Sequence, residues 1–143
     1  MRLPSETDRG RCAHELDRLV GCDGIRAGML ALRDGRPFLM KSRDTTIEPG
    51  KVSAMVSSTV ALGNTFLREL GVAPLDHILI EGAHGKLVMI SIPASAGLLV
   101  LAVVAERDAL LGLVLGHSKT CAHAVSNVFT ASASGARQAG VFP

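Results

Sequence analysis

A strongly hydrophobic part of the chain, residues 76–106, is divided into three apolar runs. Gly82 and Gly85 separate the first two runs, and residues 93–97, which include a Pro and a Gly, separate the second from the third. Apolar runs of strand length between Gly and Pro are typical of strands joined by tight connections. The pattern therefore predicts an antiparallel meander of three strands.

Two of these predicted strands are apolar on both faces. Residues 98–104 contain no polar side chain, and residues 87–92 contain only Ser91. A strand with two apolar faces needs a covering layer on each side of its sheet. We therefore expect helices on both surfaces, supplied by the rest of the chain.

A membrane helix is the alternative for residues 87–105, because this uncharged run approaches the ~20 residues that cross a bilayer. The turn residues at 93–97 lie at its middle, where lipid would leave backbone groups unsatisfied. The two halves also have the length of strands. The pattern therefore favours two strands over a membrane helix.

The segment before residue 42 predicts a helix and a hairpin. From Thr7 onward, Cys12, Leu16 and Leu19 fall on one face at helical spacing, and the pattern stops at residues 21–24. Two strands are then expected at residues 25–32 and 37–41. The Asp-Gly pair between them is the signature of a tight hairpin turn.

A long middle helix is predicted from Pro49 through Leu70, because Pro favours the first turn of a helix and Gly71 follows its end. One side is apolar and is expected to lie on the sheet. A second side carries only small residues, which allow another helix to approach closely. The apolar ridge consists of Val52, Met55, Val56, Thr59, Gly63, Phe66, Leu67 and Leu70, and the small-residue stripe consists of Ala54, Ser57, Ser58, Ala61 and Thr65.

A last helix is expected from about Asp108 through about Phe129. The order of elements predicts an α/β protein of the α+β type, with a single five-stranded antiparallel sheet between helices. The long middle helix is expected on one face and the first and last helices on the other. The expected domain covers residues 8–128, between an N-terminal arm at 1–7 and a flexible C-terminal tail at 129–143.

Composition and charge disfavour several classes of function. The 15 basic and 13 acidic residues give a net charge of +2, which is too balanced for binding to nucleic acid or an anionic membrane. With no Trp or Tyr and four Phe, the chain also lacks aromatic platforms for stacking bases. The polar start of the chain does not resemble a secretory signal, so we expect a cytoplasmic protein whose three cysteines are reduced thiols.

Three segments resemble the Roadblock/dynein light chain domain family. Residues 24–35 resemble its first hairpin, residues 78–85 its third strand and following turn, and residues 98–112 its fifth strand and the start of its last helix. The resemblance covers about residues 8–128 and rests on structural glycines and apolar strands. It implies a profilin-like Roadblock fold and a non-enzymatic role, since the bacterial MglB-like members serve small Ras-like GTPases as activators or scaffolds.

The resemblance also implies a homodimer in which two copies pair through the third strand, with the middle helices packed across the two-fold axis. An exposed apolar edge strand is in itself a site for pairing, and a stripe of small residues suits a patch that meets itself. The alternative is that these strand residues belong to the core and the helix residues face solvent. The expected interface consists of His77, Ile78, Leu79, Ile80 and Glu81 on the strand, and of Ala54, Ser57, Ser58, Ala61 and Thr65 on the helix.

The patterns that could indicate chemistry are weak. Residues 82–86 lack two features of a phosphate-binding loop, the glycine five residues before the Gly-Lys pair and the Ser or Thr after it, so they predict a hairpin turn. Cys12 and His14, like Cys121 and His123, are two residues apart, which on a helix points the side chains in different directions and disfavours zinc. No motif joins a nucleophile to a base, so no catalytic residue, cofactor or metal is expected.

An accessory protein can accelerate GTP hydrolysis by inserting an Arg or by positioning the groups of the GTPase itself. Nothing in the sequence selects among the arginines of this chain. The available guanidinium groups are those of Arg26, Arg33, Arg36, Arg43 and Arg68.

The first functional hypothesis is a cytoplasmic homodimeric regulator or scaffold that binds a small Ras-like GTPase or another signalling partner and modulates GTP hydrolysis. One alternative is a profilin-like sensor domain for a small ligand, which is disfavoured because the strands offer almost no convergent polar groups. The other is a structural subunit of a larger assembly that contains no GTPase.

Overall fold

The computed structural model describes residues 5–43, 46–93 and 99–141, with side chains described to residue 131. Within these ranges the five strands form one antiparallel sheet in the order β2-β1-β5-β4-β3. The predicted α+β fold is therefore confirmed. The elements are α1 (Glu6–Val20), β1 (Ile25–Leu32), β2 (Pro37–Ser42), α2 (Pro49–Glu69), β3 (Ile78–Gly82), β4 (Gly85–Ser91), β5 (Leu99–Glu106) and α3 (Leu111–Val141).

The central strand β5 is buried on both faces, as its uninterrupted apolar sequence predicts. Leu101 and Val103 point into a core formed with α1 and α3, and Val100 and Ala102 point into a second core formed with α2. The structure thus confirms that the first and last helices share one face and that the middle helix covers the other. Period-two alternation in a doubly covered strand produces these two cores.

The membrane alternative for residues 87–105 is not supported. Its two halves form β4 and β5, which pair in register from Gly85 with Glu106 to Ser91 with Val100. Among the helices that the structure describes, none is long and apolar enough to cross a bilayer. Most of the connection predicted at residues 93–97 lies outside the described residues.

Four helix boundaries differ from those predicted; α2 ends at Glu69 instead of Leu70, and α3 begins at Leu111 instead of about Asp108. α1 begins at Glu6, because the Ser5 hydroxyl accepts a hydrogen bond from the Asp8 amide at 3.1 Å and the Asp8 carboxylate accepts one from the Ser5 amide. α3 continues to Val141, well past the predicted end near Phe129. The added segment contains several alanines, which favour helix. The division into a domain at residues 8–128, an arm and a flexible tail stays a prediction.

The middle helix lies on the sheet in a different rotation from the one predicted. Met55, Phe66 and Leu70, assigned to its sheet-facing ridge, are exposed. The buried side instead includes two serines that the sheet satisfies. The Ser53 hydroxyl donates a hydrogen bond to the Gly35 carbonyl at 2.8 Å. The buried residues of α2 are Ser53, Val56, Ser57 and Val60.

This rotation has a physical reason. Ser57 donates a hydrogen bond from its hydroxyl to the Leu32 carbonyl at 2.7 Å, so a polar residue is buried at little cost. When the buried side of a helix is assigned from hydrophobicity alone, a serine such as Ser57 is placed on the side that faces solvent. The prediction was therefore wrong at Met55, Phe66 and Leu70.

Candidate protein interface

The third strand, β3, is the edge of the sheet beside β4. Its residues pair with β4 from Ile78 opposite Met89 to Gly82 opposite Gly85, and the sheet order gives β3 no second neighbour among the described strands. An edge strand presents a row of backbone donors and acceptors to any chain that can pair with it. The predicted edge position of β3 is confirmed.

The side chains of β3 alternate between the two faces of the sheet. Ile78 packs against the core beneath α2, and Leu79 packs against the core beneath α1 and α3. Ile80, on the α2 side, is 47% exposed. The strand thus contributes to its own protomer and still presents an apolar side chain beside its open edge.

Large apolar side chains are also exposed along α2. We call Met55, Leu62, Phe66 and Leu70 the apolar stripe; all four are exposed, Phe66 by 59%. The C-terminal half of α2 lies close to β3, since a Cβ built on Gly63 would lie 3.0 Å from Ile78 Cδ1. Several large apolar side chains exposed side by side mark interaction surfaces in soluble proteins.

The sequence prediction missed the apolar stripe as a surface. Met55, Phe66 and Leu70 were assigned to the sheet-facing ridge because they recur at helical spacing, and Leu62 was assigned to neither side. The available signal was Ser53 and Ser57, whose hydroxyls could have been expected to bond carbonyls of the sheet. Periodicity shows that a helix has an apolar side and cannot show which partner covers it.

The helix half of the predicted interface has a mixed environment. Ala54, Ser58, Ala61 and Thr65 are exposed, whereas Ser57 is buried against the protomer's own sheet. The assignment of these residues to a dimer contact stays a prediction.

A small charged cluster precedes β3. His77 Nδ1 lies 2.9 Å from Asp76 Oδ2, and Lys119 Nζ lies 3.4 Å from the same oxygen. The hydrogen bond to His77, followed by the contact with Lys119, holds the pKa of the Asp76 carboxyl below its ordinary value. The cluster ties the start of β3 to α3 at the surface.

The structure distinguishes among the five candidate arginines. Two of them form ion pairs: Arg26 Nε lies 3.7 Å from Glu106 Oε1, and Arg36 Nε lies 2.8 Å from Asp34 Oδ2. A third, Arg43, donates a hydrogen bond to the Val20 carbonyl at 2.6 Å. Arg33 and Arg68 instead line one cavity between α2 and the sheet. Two of the five arginines thus line the same cavity, which sequence spacing did not indicate.

The patterns considered for nucleotide and metal binding have structural roles. Residues 82–86 form the β3–β4 hairpin, with Gly82 paired to Gly85, so the predicted turn is confirmed. Cys12 and Cys121 lie in the core between α1 and α3. Burial raises the pKa of the Cys12 thiol to about 11 and that of the Cys121 thiol to about 12.

No model of a known protein family matches the sequence. The chain is 27% identical over 107 residues to two uncharacterized proteins of Methanocaldococcus jannaschii, MJ1340 and MJ0714. The aligned part is 75% of this chain, 90% of MJ1340 and 86% of MJ0714. These relatives carry no functional description.

The chain has the fold of the Roadblock/LC7 domain. A domain of that name from Streptomyces avermitilis superposes with a TM-score of 0.71 at 18% identity, covering 82% of this chain and 96% of the domain. MglB from Myxococcus xanthus superposes with a TM-score of 0.82 at 18% identity, covering 92% and 96%. The gliding protein MglB from Thermus thermophilus superposes with a TM-score of 0.76 at 20% identity, covering 90% of this chain and 98% of that protein. The resemblance expected from the sequence is confirmed at the level of the fold.

Proposed function

We propose that this protein is a non-enzymatic, homodimeric regulator or scaffold that binds a small Ras-like GTPase or another signalling partner. The observation that carries the proposal is the open edge of β3 beside the apolar stripe, in a fold shared with MglB. Because the expected partners act in the cytoplasm, the proposal includes that location.

The proposed dimer joins two β3 strands in antiparallel fashion. Pairing centred on Leu79 places Ile78 opposite the partner's Ile80 and His77 opposite the partner's Glu81. The apolar stripe then lies beside the two-fold axis, where it can meet its own copy in an isologous contact. Backbone hydrogen bonds at the edge would fix the register, and burial of the stripe would supply the hydrophobic part of the affinity.

Light scattering on matched variants tests this dimer. Phe66→Glu places a charge in the centre of the apolar stripe and is expected to yield a folded monomer. Leu113→Glu is the control, because Leu113 is 58% exposed, about as much as Phe66, but lies on α3. It is expected to remain dimeric. A wild-type monomer at micromolar concentration, or dimers of both variants, would contradict the proposed interface.

A partner assay tests the GTPase part of the proposal. The purified dimer is added to the Ras-like GTPases encoded in the same genome, and hydrolysis and nucleotide exchange are measured. An altered rate supports a regulator, and binding with unchanged rates supports a scaffold. If no GTPase binds or responds while the protein is dimeric, the GTPase proposal fails and the dimer proposal stands.

A structural subunit of a larger assembly is the second candidate. A solved MglB with a tetrameric arrangement, which superposes with a TM-score of 0.76 at 21% identity, supports it by showing that this fold can form more than a pair. The same light-scattering measurement separates the two candidates. A mass above that of the dimer at micromolar concentration favours the assembly.

A further inference from the structure

A cavity of about 360 Å³ lies between α2 and the end of the sheet that carries Ser91 and Val100. Its apolar part comes from Val60 and Val100, which belong to the core beneath α2. The other lining residues have polar or small side chains. The lining residues are Arg33, Ser57, Val60, Ala61, Asn64, Thr65, Arg68, Ser91 and Val100.

The alternation of the strands explains how polar groups reach this cavity. Met89 and Ala31 face α2 in the core, and Ser91 and Arg33 follow them by two residues on the same face. Ser91 ends β4 and Arg33 directly follows β1, so both lie at the margin of the sheet surface that α2 covers. The sequence prediction that the strands offer almost no convergent polar groups overlooked these two strand ends.

Among the described residues, two arginines and no carboxylate line the cavity. Arg33 and Arg68 have no ion-pair partner among the described residues, whereas Arg26 and Arg36 each have one. The Arg68 guanidinium lies 3.4 Å from the Thr65 hydroxyl, which in turn donates to the Ala61 carbonyl. The local partner of Arg68 is thus a neutral group that leaves its charge uncompensated.

Other polar atoms in the cavity add donors. The Asn64 side-chain oxygen accepts a hydrogen bond from the Leu75 amide, which leaves its NH₂ group as the part that can donate. The Ser91 hydroxyl can also donate. Two guanidinium groups and two neutral donors match the oxygen atoms of a phosphate or a carboxylate.

We propose that this cavity binds a small anionic ligand through a phosphate or carboxylate group held by Arg33 and Arg68. Its volume lies at the lower end of the range for small-molecule sites, ~300–1,000 Å³, so a compact ligand is favoured. Asn64 and Ser91 donate to the remaining oxygens, and the apolar floor accepts the body of the ligand. The inference is independent of a GTPase partner.

The site is compatible with the proposed dimer. Ala61 and Thr65 line the cavity, and the next residues, Leu62 and Phe66, belong to the apolar stripe. Consecutive residues point ~100° apart around a helix. A partner chain that contacts only the stripe therefore covers a different side of α2 from the side that faces the cavity.

Nuclear magnetic resonance titration of the full-length chain with inorganic phosphate and, separately, with succinate tests the proposal, with sodium chloride at matched ionic strength as the reference. At least one of the two anions is expected to cause saturable shifts of the Asn64, Thr65 and Ser91 amides. Phosphate alone identifies a phosphoryl ligand, and succinate identifies a carboxylate. Shifts no larger than those with chloride overturn the proposal.

Matched variants distinguish the site from general surface charge. Arg33→Gln and Arg68→Gln are each expected to weaken binding at least about tenfold, as expected for loss of a charge-assisted contact. Arg36→Gln removes the same charge from an exposed arginine of the nearby β1–β2 turn, where Asp34 pairs with it, and is expected to bind as the wild type does. Equal affinities for all four proteins would overturn the proposal.

Discussion

Gly85 shows how a single residue is constrained by the strand beside it. A Cβ built at this position would lie 2.9 Å from the backbone carbonyl oxygen of Ala105. Ala105 pairs with both β1 and β4, so its backbone cannot move aside without disturbing these two ladders. The glycine is therefore required by close approach at this turn.

We expect Gly85→Ala to lower the free energy of unfolding by about 1–3 kcal/mol, the usual cost of overpacking. Gly116→Ala is the matched control, because Gly116 lies inside α3 with nothing within 4 Å of the added Cβ. It is expected to raise stability by about 0.5–1 kcal/mol. Urea denaturation of both variants measures the difference, and two shifts of the same sign would contradict the assignment.

The buried thiols predict a loss of stability at alkaline pH. Cys12 titrates at about 11 in the folded protein against an ordinary pKa of 9.0, and Cys121 at about 12. The unfolded chain therefore releases these protons first as pH rises. Stability is expected to be retained below pH 9.0 and to fall as pH rises through about 11.

The urea midpoint measured across this interval tests the thiol prediction. The double variant Cys12→Ala, Cys121→Ala removes both titrating groups and is expected to show a shallower decline than the wild type. Parallel declines in the two proteins would mean that other groups cause the loss of stability.

At the scale of the element, α2 illustrates how hydrogen bonds select the buried side of a helix. Its hydrophobic residues occupy more than one side, so burial of apolar area alone leaves its rotation open. Ser53 and Ser57 favour one rotation, because carbonyls at the end of β1 and in the following turn accept their hydroxyl protons. That rotation exposes the apolar stripe.

Ser57→Ala is expected to destabilise the protein by about 1 kcal/mol through loss of a buried hydrogen bond. Ser58→Ala changes the next residue, which is exposed, and is expected to shift stability by less than about 0.5 kcal/mol. Thermal or urea unfolding of the pair gives the comparison. An equal effect of both substitutions would show that the contact with Leu32 does not orient the helix.

At the scale of the whole molecule, the sheet is doubly covered at its centre and open at β3. The covering helices bury most of β5, whereas the edge of β3 and the apolar stripe remain exposed. Such a protomer gains stability when another copy covers the exposed surface, because that copy binds only the folded state.

The unfolding temperature of the wild-type protein is therefore expected to rise with protein concentration. Phe66→Glu should remove this dependence, and Leu113→Glu should retain it. Scanning calorimetry over about a hundredfold range of concentration tests the expectation, which follows from mass action. A wild-type midpoint that does not change across that range would contradict a dimer coupled to folding.

Much of the fold could be predicted from local patterns. Apolar runs broken by Gly and Pro predicted the strands, the Asp-Gly pair predicted the first hairpin, and two-sided apolar strands predicted two covering layers. The end of α3 was missed, because residues 130–141 are small and polar and carry no strong helical periodicity. Hydrophobic periodicity and turn chemistry depend on residues that are close together in the chain, so the sequence alone shows them.

The candidate sites were less predictable, since they depend on what lies opposite each side chain. The sequence determined that β3 would be an apolar strand and that α2 would have an apolar side and a small side. Only the tertiary structure decided that Ser57 faces the sheet, that Phe66 faces outward, and that Arg33 and Arg68 line the same cavity. Those outcomes depend on hydrogen bonds and packing between residues far apart in the chain, and periodicity within one element contains no information about its partner.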